Sequence, residues 1–303
     1  MKALRRAFTL VELTFVIMVF GIIAAIASEV YVKIYENYLV SRVMNSLQTK
    51  TELALEQIAK RLQYRIKSAT IGTKSDLSAF IPAADPSLNE NYRILEWIGY
   101  EEIGFKGITN FDTTLNYHAP IWSGFLDVDD SNSTYLSTPG SNLGLEDSII
   151  KILSNNNSSI ADAAVVFPES GGDFNISQFG WYSSESDYVI DISPNGATAF
   201  DIVDTVQPSE IYERYKLVWS AYAIAPDPLT CTNDCSLSLY WNYQPWKNEK
   251  FSDTGKNILK SLLVENVTTF KFKQDGDVMR IKLCVKGQVV DKNVSVCKEK
   301  VVF

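Results

Sequence analysis

Glu12 is the residue near the start of this chain whose type and position imply chemistry. It is the only formally charged residue between Phe8 and Ala27, and the residues around it are mostly apolar. An ionised carboxylate in apolar surroundings is costly unless a cation pairs with it. The sequence therefore predicts a cationic partner for Glu12, and the identity of that partner depends on what the surrounding segment is.

The segment around Glu12 is long enough to cross a membrane. Roughly 20 residues at about 1.5 Å per residue cover about 30 Å, which is the thickness of the hydrocarbon core. The run is preceded by the basic residues Lys2, Arg5 and Arg6 and by no acidic residue. This excess of positive charge predicts that the N-terminal end stays in the cytoplasm and that the rest of the chain lies on the far side.

Two general explanations of the segment do not account for Glu12. A plain single-pass anchor does not need a carboxylate within its apolar run. A cleaved secretory signal fits the small residues Ala25-Ile26-Ala27 before Ser28, which have the form of a signal-peptidase site. A signal of this kind has no need of a carboxylate either, so both explanations account for the length of the segment and not for its charge.

The stretch Arg-Arg-Ala-Phe-Thr-Leu-Val-Glu, which ends at Glu12, closely resembles the leader of type IV pilin-like proteins. The resemblance implies that a prepilin peptidase cuts between Ala7 and Phe8 and that the new Phe8 amine is methylated. The family usually has Gly before the cut, where this chain has Ala7, which is also a small residue.

The resemblance also implies a partner for Glu12. After cleavage the Phe8 amine is a cation at the membrane face, and in a helical filament it pairs with Glu12 of a neighbouring subunit. In a low dielectric such a pair attracts, whereas either charge alone is penalised. The pairing would set the axial register in which subunits assemble.

The aromatic segments Tyr215–Ile224 and Leu239–Trp246 are similar to the larger minor pilins and to the J-type pseudopilins of type II secretion. The two resemblances imply a structural subunit that primes or caps a type IV pilus or a type II secretion pseudopilus. They imply three partners: other pilin-like subunits, the prepilin peptidase and the inner-membrane assembly platform. The implied location is the bacterial inner membrane, with the C-terminal domain in the periplasm, and then the fibre. An exported or membrane-anchored adhesin, which uses this N-terminus only for export, stays open as the alternative.

Composition and cysteine content bound the rest of the chain. With 28 basic and 36 acidic residues the net charge is −8, which argues against a general nucleic-acid binder because such binding needs clustered cations. An even number of cysteines in an exported domain predicts disulfides. Local geometry favours Cys231 with Cys235 and Cys284 with Cys297 among the possible pairings. A four-thiolate zinc site and free thiols stay open, although the later two cysteines are more widely spaced than zinc ligands usually are.

No enzymatic function is predicted. His118 is the only histidine, so a Ser-His-Asp or Cys-His device would depend on it, and no nucleophile motif surrounds it. Asp127 and Asp129 resemble the start of a calcium loop, but the glycine and the final glutamate of such a loop are missing. An exposed acidic loop is the simpler interpretation of the two aspartates, so the sequence predicts neither a cofactor nor a resident metal.

The N-terminal helix is predicted to continue beyond the membrane. There is no Pro or Gly from Ser28 to Lys67, and apolar residues recur there at helical spacing. Gly72 is expected to end the helix, and residues 73–91 to form a loop. The predicted divisions are a leader at 1–7, a transmembrane part at 8–27, an amphipathic continuation at 28–67 and a β-rich domain at 68–303.

The remainder of the chain is predicted to be mainly β. Asp275-Gly276 between alternating segments is a strong hairpin signal, whereas residues 110–162 have little regular pattern and are expected to be surface loops with a short helix near Leu145–Leu153. A long helix packed on a mainly antiparallel sheet is an α+β fold. The predicted strands are Tyr92–Ile98, Glu101–Lys106, Ala163–Phe167, Asp187–Ile192, Ala199–Val203, Tyr215–Ile224, Leu237–Tyr243, Val267–Lys273, Val278–Val285 and Val294–Phe303.

Overall fold

A long N-terminal helix and a large antiparallel β-sheet make up the fold, which is the α+β class that the sequence predicts. The computed structural model describes residues 9–112, 115–167, 175–203, 210–289 and 292–303. The helices are α1 (Leu10–Leu62), α2 (Glu102–Lys106) and α3 (Leu143–Leu153), and single 3₁₀ turns occur at Ile160–Asp162, Ile176–Phe179 and Pro245–Lys247.

The strands, in chain order, are β1 (Arg65–Lys74), β2 (Phe80–Pro82), β3 (Tyr92–Tyr100), β4 (Ile108–Asp112), β5 (Leu115–Ala119), β6 (Asp127–Asn132), β7 (Tyr135–Ser137), β8 (Ala164–Val166), β9 (Ile190–Pro194), β10 (Ala199–Ile202), β11 (Lys216–Asp227), β12 (Cys235–Tyr243), β13 (Leu259–Asp275), β14 (Val278–Val289) and β15 (Lys292–Val302).

The main sheet has 13 strands, and its longest path runs β15-β14-β13-β12-β11-β8-β9-β10-β7-β6. β3 also pairs with β11 and carries β1, which in turn pairs with β2. The strands β4 and β5 form a separate two-stranded ribbon. At the C-terminal end, β13, β14 and β15 form a meander of long strands, and this meander is the part of the sheet that receives α1.

Helix α1 ends at Leu62, earlier than the predicted Lys67, because Arg65 caps it from the following strand. The buried guanidinium of Arg65 donates to the Leu62 carbonyl and to the Asp277 carbonyl, each at 2.7 Å. The last carbonyls of a helix have no partner within the helix, so this side chain satisfies one of them and ties the helix end to the β13–β14 turn. Ile66, which fits the apolar spacing of the helix, is instead buried on β1.

The prediction that Gly72 ends the helix is wrong, because Gly72 lies within β1. The segment from Arg65 to Lys74 is rich in β-branched residues, which favour strands. The loop predicted for residues 73–91 contains the end of β1 and all of β2.

Two further corrections concern the middle of the chain. The segment Glu101–Lys106 is not a strand, because the Glu101 side chain accepts the backbone N–H groups of Ile103 and Gly104 and so caps α2. Residues 110–162 contain strands β4 to β7 as well as α3, although only α3 is predicted. Exposed polar strands such as β6 carry no alternation of apolar residues by which sequence reasoning would find them. The other predicted strands are all present, with shifted ends.

The core between α1 and the meander is apolar and closely packed. The buried face of α1 consists of residues at helical spacing from its second half, namely Leu47, Thr51, Ala54, Leu55, Ile58, Ala59 and Leu62. The apolar side chains among them pack in one cluster with sheet residues that include Leu239, Ile281 and Leu283. Ile281 and Leu283 share the buried face of the β13–β14 hairpin, whereas Lys271 and Lys282 lie on its exposed face.

Replacing Ile58 by Ala tests whether this packing fixes the second half of α1. Ile58 is 1% exposed, so its truncation should lower the free energy of unfolding by about 2–5 kcal/mol. Urea unfolding of the full chain in detergent, followed by tryptophan fluorescence, measures the loss. The control is Lys60→Ala on the exposed face, for which a change within about 0.5 kcal/mol is expected. Equal stabilities for the two variants would contradict the packing.

Candidate functional site

The first turn of α1 holds Glu12 in a capping box with Thr9. The Glu12 carboxylate accepts the Thr9 backbone N–H at 3.0 Å and the Thr9 hydroxyl at 2.9 Å, while the Thr9 hydroxyl oxygen accepts the Glu12 N–H at 3.3 Å. A carboxylate offers about four acceptor sites, so the box leaves acceptor capacity for a further donor. Ala7 and Phe8, the predicted processing residues, lie outside the described residues, which begin at Thr9.

The first half of α1 is apolar and uncovered by the fold. Every residue from Thr9 to Tyr35 is exposed, and Leu10, Phe15 and Phe20 are 80%, 65% and 71% exposed. Exposure of this kind runs around the whole helix, and a helix that is apolar on all sides is stable only inside a membrane or a protein assembly. In the described part of the chain, α1 is the one helix long and apolar enough to span a membrane.

The second half of α1 is joined to the sheet by charges as well as by packing. Glu52 pairs with Lys298, and Glu56 pairs with Lys300 on β15. Ion pairs with exposed partners contribute only about 0–1 kcal/mol each to stability. These two pairs therefore affect the orientation of the helix more than the strength of its packing on the sheet. Helix α1 is therefore continuous, with an uncovered apolar first half and a second half that is fixed to the sheet.

The structure joins the cysteines in the pairing that local geometry favours. Cys231 and Cys235 are bonded across the connection between β11 and β12, and Cys284 is bonded to Cys297 between β14 and β15. Cys284 and Cys297 are direct partners in the register of those two strands. None of the cysteines is free, so none is left to bind zinc as a thiolate.

The other residues considered for chemistry do not meet in one place. Asp127 and Asp129 lie on β6, where the Asp127 carboxylate accepts the backbone N–H groups of Asp129 and Asp130 at 3.2 and 3.3 Å. These hydrogen bonds form a local turn. In the described ranges, no group of three or more His, Cys, Asp or Glu side chains is placed to hold a metal ion. His118 belongs to β5, where its backbone pairs with Thr109.

A buried carboxyl group that the sequence does not reveal lies at the centre of the sheet. Glu96 on β3 accepts hydrogen bonds from the hydroxyls of Thr73 at 2.7 Å, Tyr182 at 2.8 Å and Tyr243 at 3.1 Å. Burial raises the pKa of Glu96 to about 7, and the three hydroxyl donors oppose that rise. The partners come from distant parts of the chain, so no local motif marks the cluster.

A second buried pair of acids lies beside α2. The Glu101 carboxylate accepts the Gly104 N–H at 2.6 Å and the Trp122 indole N–H at 3.1 Å. Glu146 on α3 is fully buried, and within the described ranges no hydrogen-bond donor reaches its oxygens. Burial, and then the nearby charge of Glu101, raise the pKa of Glu146. Burial and the neighbouring Glu101 therefore favour the protonated form of Glu146.

Glu96 makes stability depend on pH in a direction that can be measured. The folded-state pKa of about 7 exceeds the ordinary value of 4.5, so the folded chain holds a proton that the unfolded chain releases between these values. Stability is therefore expected to fall as pH rises from about 4.5 to about 7, by at most about 1.4 kcal/mol per pH unit for this one group. Glu96→Gln should reduce that slope, as measured by urea unfolding at several pH values across this range.

The matched control for Glu96→Gln is Glu299→Gln, because Glu299 is exposed on β15. The control should keep the parent slope even if Glu96→Gln lowers stability at every pH by disturbing the hydroxyl partners. A parent and a Glu96→Gln variant with the same slope would show that Glu96 is ionised in the folded state.

Comparison with known proteins gives no relative: no protein-family model, no curated protein and no solved structure matches this chain. The observations from which a function can be inferred are an uncovered apolar half-helix with one carboxylate at its start, and a folded β domain attached to the other half.

Proposed function

We propose that this chain is a structural subunit of a type IV pilin-like fibre, a minor pilin or pseudopilin that primes or caps the fibre. The observation that carries the proposal is the division of α1. Its residues from Leu10 to Ala27 are exposed on all sides, mostly apolar and charged only at Glu12, while its second half is packed on the sheet. A helix of this kind can pass from a membrane into a bundle of like helices without any change in the fold that it carries.

In this proposal the subunit is first located in the inner membrane. The basic residues Lys2, Arg5 and Arg6 keep the N-terminus in the cytoplasm, and the β domain is in the periplasm. A prepilin peptidase cuts between Ala7 and Phe8 and the Phe8 amine is methylated. The assembly platform then transfers the helix from lipid to the fibre, where neighbouring subunits cover it.

Glu12 supplies the specific contact in this proposal. The Phe8 amine of one subunit is a cation, and Glu12 of a neighbour retains acceptor sites beyond its bonds to Thr9. Opposite charges about 4 Å apart attract by about 4 kcal/mol where the effective dielectric is about 20. A misaligned neighbour would leave both charges without a partner in apolar surroundings, so the pair selects one axial register.

The proposal assigns no catalytic activity and no cofactor to the chain. Its rival is an exported adhesin or binding domain for which α1 is only a membrane anchor. The two differ in what they require of Glu12, because an anchor in lipid is improved when a charge is removed, whereas a fibre subunit loses its pairing.

Glu12→Gln separates these functions. Glutamine at this position still completes a capping box with Thr9, so the variant loses the charge and keeps the helix start. We expect the fraction of subunit recovered in sheared or extracted fibres from producing cells to fall by about tenfold or more, which corresponds to about 1.4 kcal/mol. Immunoblotting of the fibre and membrane fractions measures that fraction.

Two controls belong to this experiment. Glu29→Gln removes a charge from an exposed position farther along α1 and should leave incorporation unchanged. Thr9→Ala breaks the capping box without removing the Glu12 charge, so it reports any effect of a frayed helix start. Parent-like incorporation of the Glu12→Gln variant would overturn the proposed pairing, and a chain found only in membranes would favour the anchored rival.

A further inference from the structure

An aromatic pocket of about 280 Å³ opens where the C-terminal end of α1 meets α2, α3 and the sheet. Its volume is near the lower limit of about 300 Å³ for small-molecule sites, so it suits a ligand of one or two rings. The lining residues on which the following steps depend are Arg61, Tyr64, Gly99, Trp219, Tyr222 and Trp241. None of these residues was singled out as functional by the sequence.

Aromatic side chains in the lining of the pocket are held in fixed positions. The ring of Tyr222 stacks on Trp97 with 5.6 Å between ring centroids, and the Trp241 indole N–H donates to the Leu153 carbonyl at 3.3 Å. A Cβ atom on Gly99 would lie 2.7 Å from the Tyr222 ring. Glycine at position 99 therefore lets Tyr222 lie flat against β3 and keeps the wall of the pocket in place.

The pocket also has a polar group with spare hydrogen-bonding capacity, the guanidinium of Arg61. Arg61 is exposed, and its guanidinium lies over the Tyr222 ring, 5.8 Å from the centroid. No carboxylate lies within ion-pair distance of it in the described ranges.

The charges around the pocket are close to balanced. Glu101 lines it, but its oxygens accept N–H groups of α2 and Trp122. Glu102 lines it and pairs with Lys106 at 2.7 Å. A guanidinium and two carboxylates in one small pocket disfavour a ligand with a large net charge of either sign.

The pocket lies at the opposite end of α1 from Glu12. Arg61 and Leu10 are near the two ends of the helix, which at about 1.5 Å per residue places them about 77 Å apart. A ligand would therefore bind at the end of the molecule farthest from the uncovered apolar half. The pocket does not depend on what covers that half.

We propose that this pocket binds a neutral saccharide. A sugar ring has one face of C–H groups, which suits an aromatic wall, and a rim of hydroxyls, which suits the Arg61 guanidinium and the tyrosine hydroxyls. It also carries no net charge, as the balanced lining requires. This activity would add a binding function to the chain, and it does not rest on fibre assembly.

The test uses the full chain in a detergent whose head group is not a sugar. Tryptophan fluorescence is followed during titration with cellobiose, maltose, lactose and diacetylchitobiose, because Trp219 and Trp241 line the pocket. We expect at least one of these probes to cause a saturable change at millimolar concentration or below. Arg61→Ala should weaken that binding by about tenfold or more, because hydrogen bonds to a charged group are the strong ones.

Lys60→Ala is the matched control, because Lys60 is the exposed neighbour of Arg61 on α1 and does not line the pocket. It should change the dissociation constant less than about twofold. Tyr222→Phe removes only a hydroxyl and should also weaken binding while the fold is kept, as circular dichroism checks. The proposal is overturned if none of the four saccharides binds, if Arg61→Ala binds as well as the parent, or if a phenylalanine-containing tripeptide binds and the saccharides do not.

Discussion

An apolar helix surface that the fold leaves uncovered cannot remain in water, and in this chain such a surface surrounds the first half of α1. A helix satisfies its own backbone hydrogen bonds, so it can enter lipid or a bundle of helices at little cost. The carboxylate of Glu12 is the exception within that surface. The proposed function as a fibre subunit depends on what covers the apolar half and on what pairs with that one charge.

The second half of α1 connects the uncovered first half to the rest of the molecule. The helix is continuous from Leu10 to Leu62, so the covering of its first half also positions the β domain. Packing around Ile58 fixes the helix on the meander, and Arg65 fastens its end to the β13–β14 turn. The aromatic pocket at Arg61 is built against this fastened end, about the length of the helix away from Glu12.

Local signals in the sequence account for the features that were predicted correctly, and contacts between distant residues account for the rest. The apolar run, the β13–β14 turn and the pairing of Cys284 with Cys297 are each visible within a few residues or one hairpin. The end of α1 depends on Arg65 reaching Asp277, and the helical state of α2 depends on a cap from Glu101. The Glu96 cluster and the pocket join side chains from several strands, so sequence spacing alone could not reveal either of them.

The mass of the mature N-terminus shows whether the chain is processed as a pilin-like subunit. The chain is purified from the cells that produce it, and its N-terminal peptide is sequenced by mass spectrometry. If the chain is a pilin-like subunit, the peptide begins at Phe8 and carries a methyl group on the Phe8 amine. A chain that begins at Ser28 would contradict the proposed function, because the apolar half of α1 would then have been removed as a signal, and an intact Met1 would identify a plain anchor.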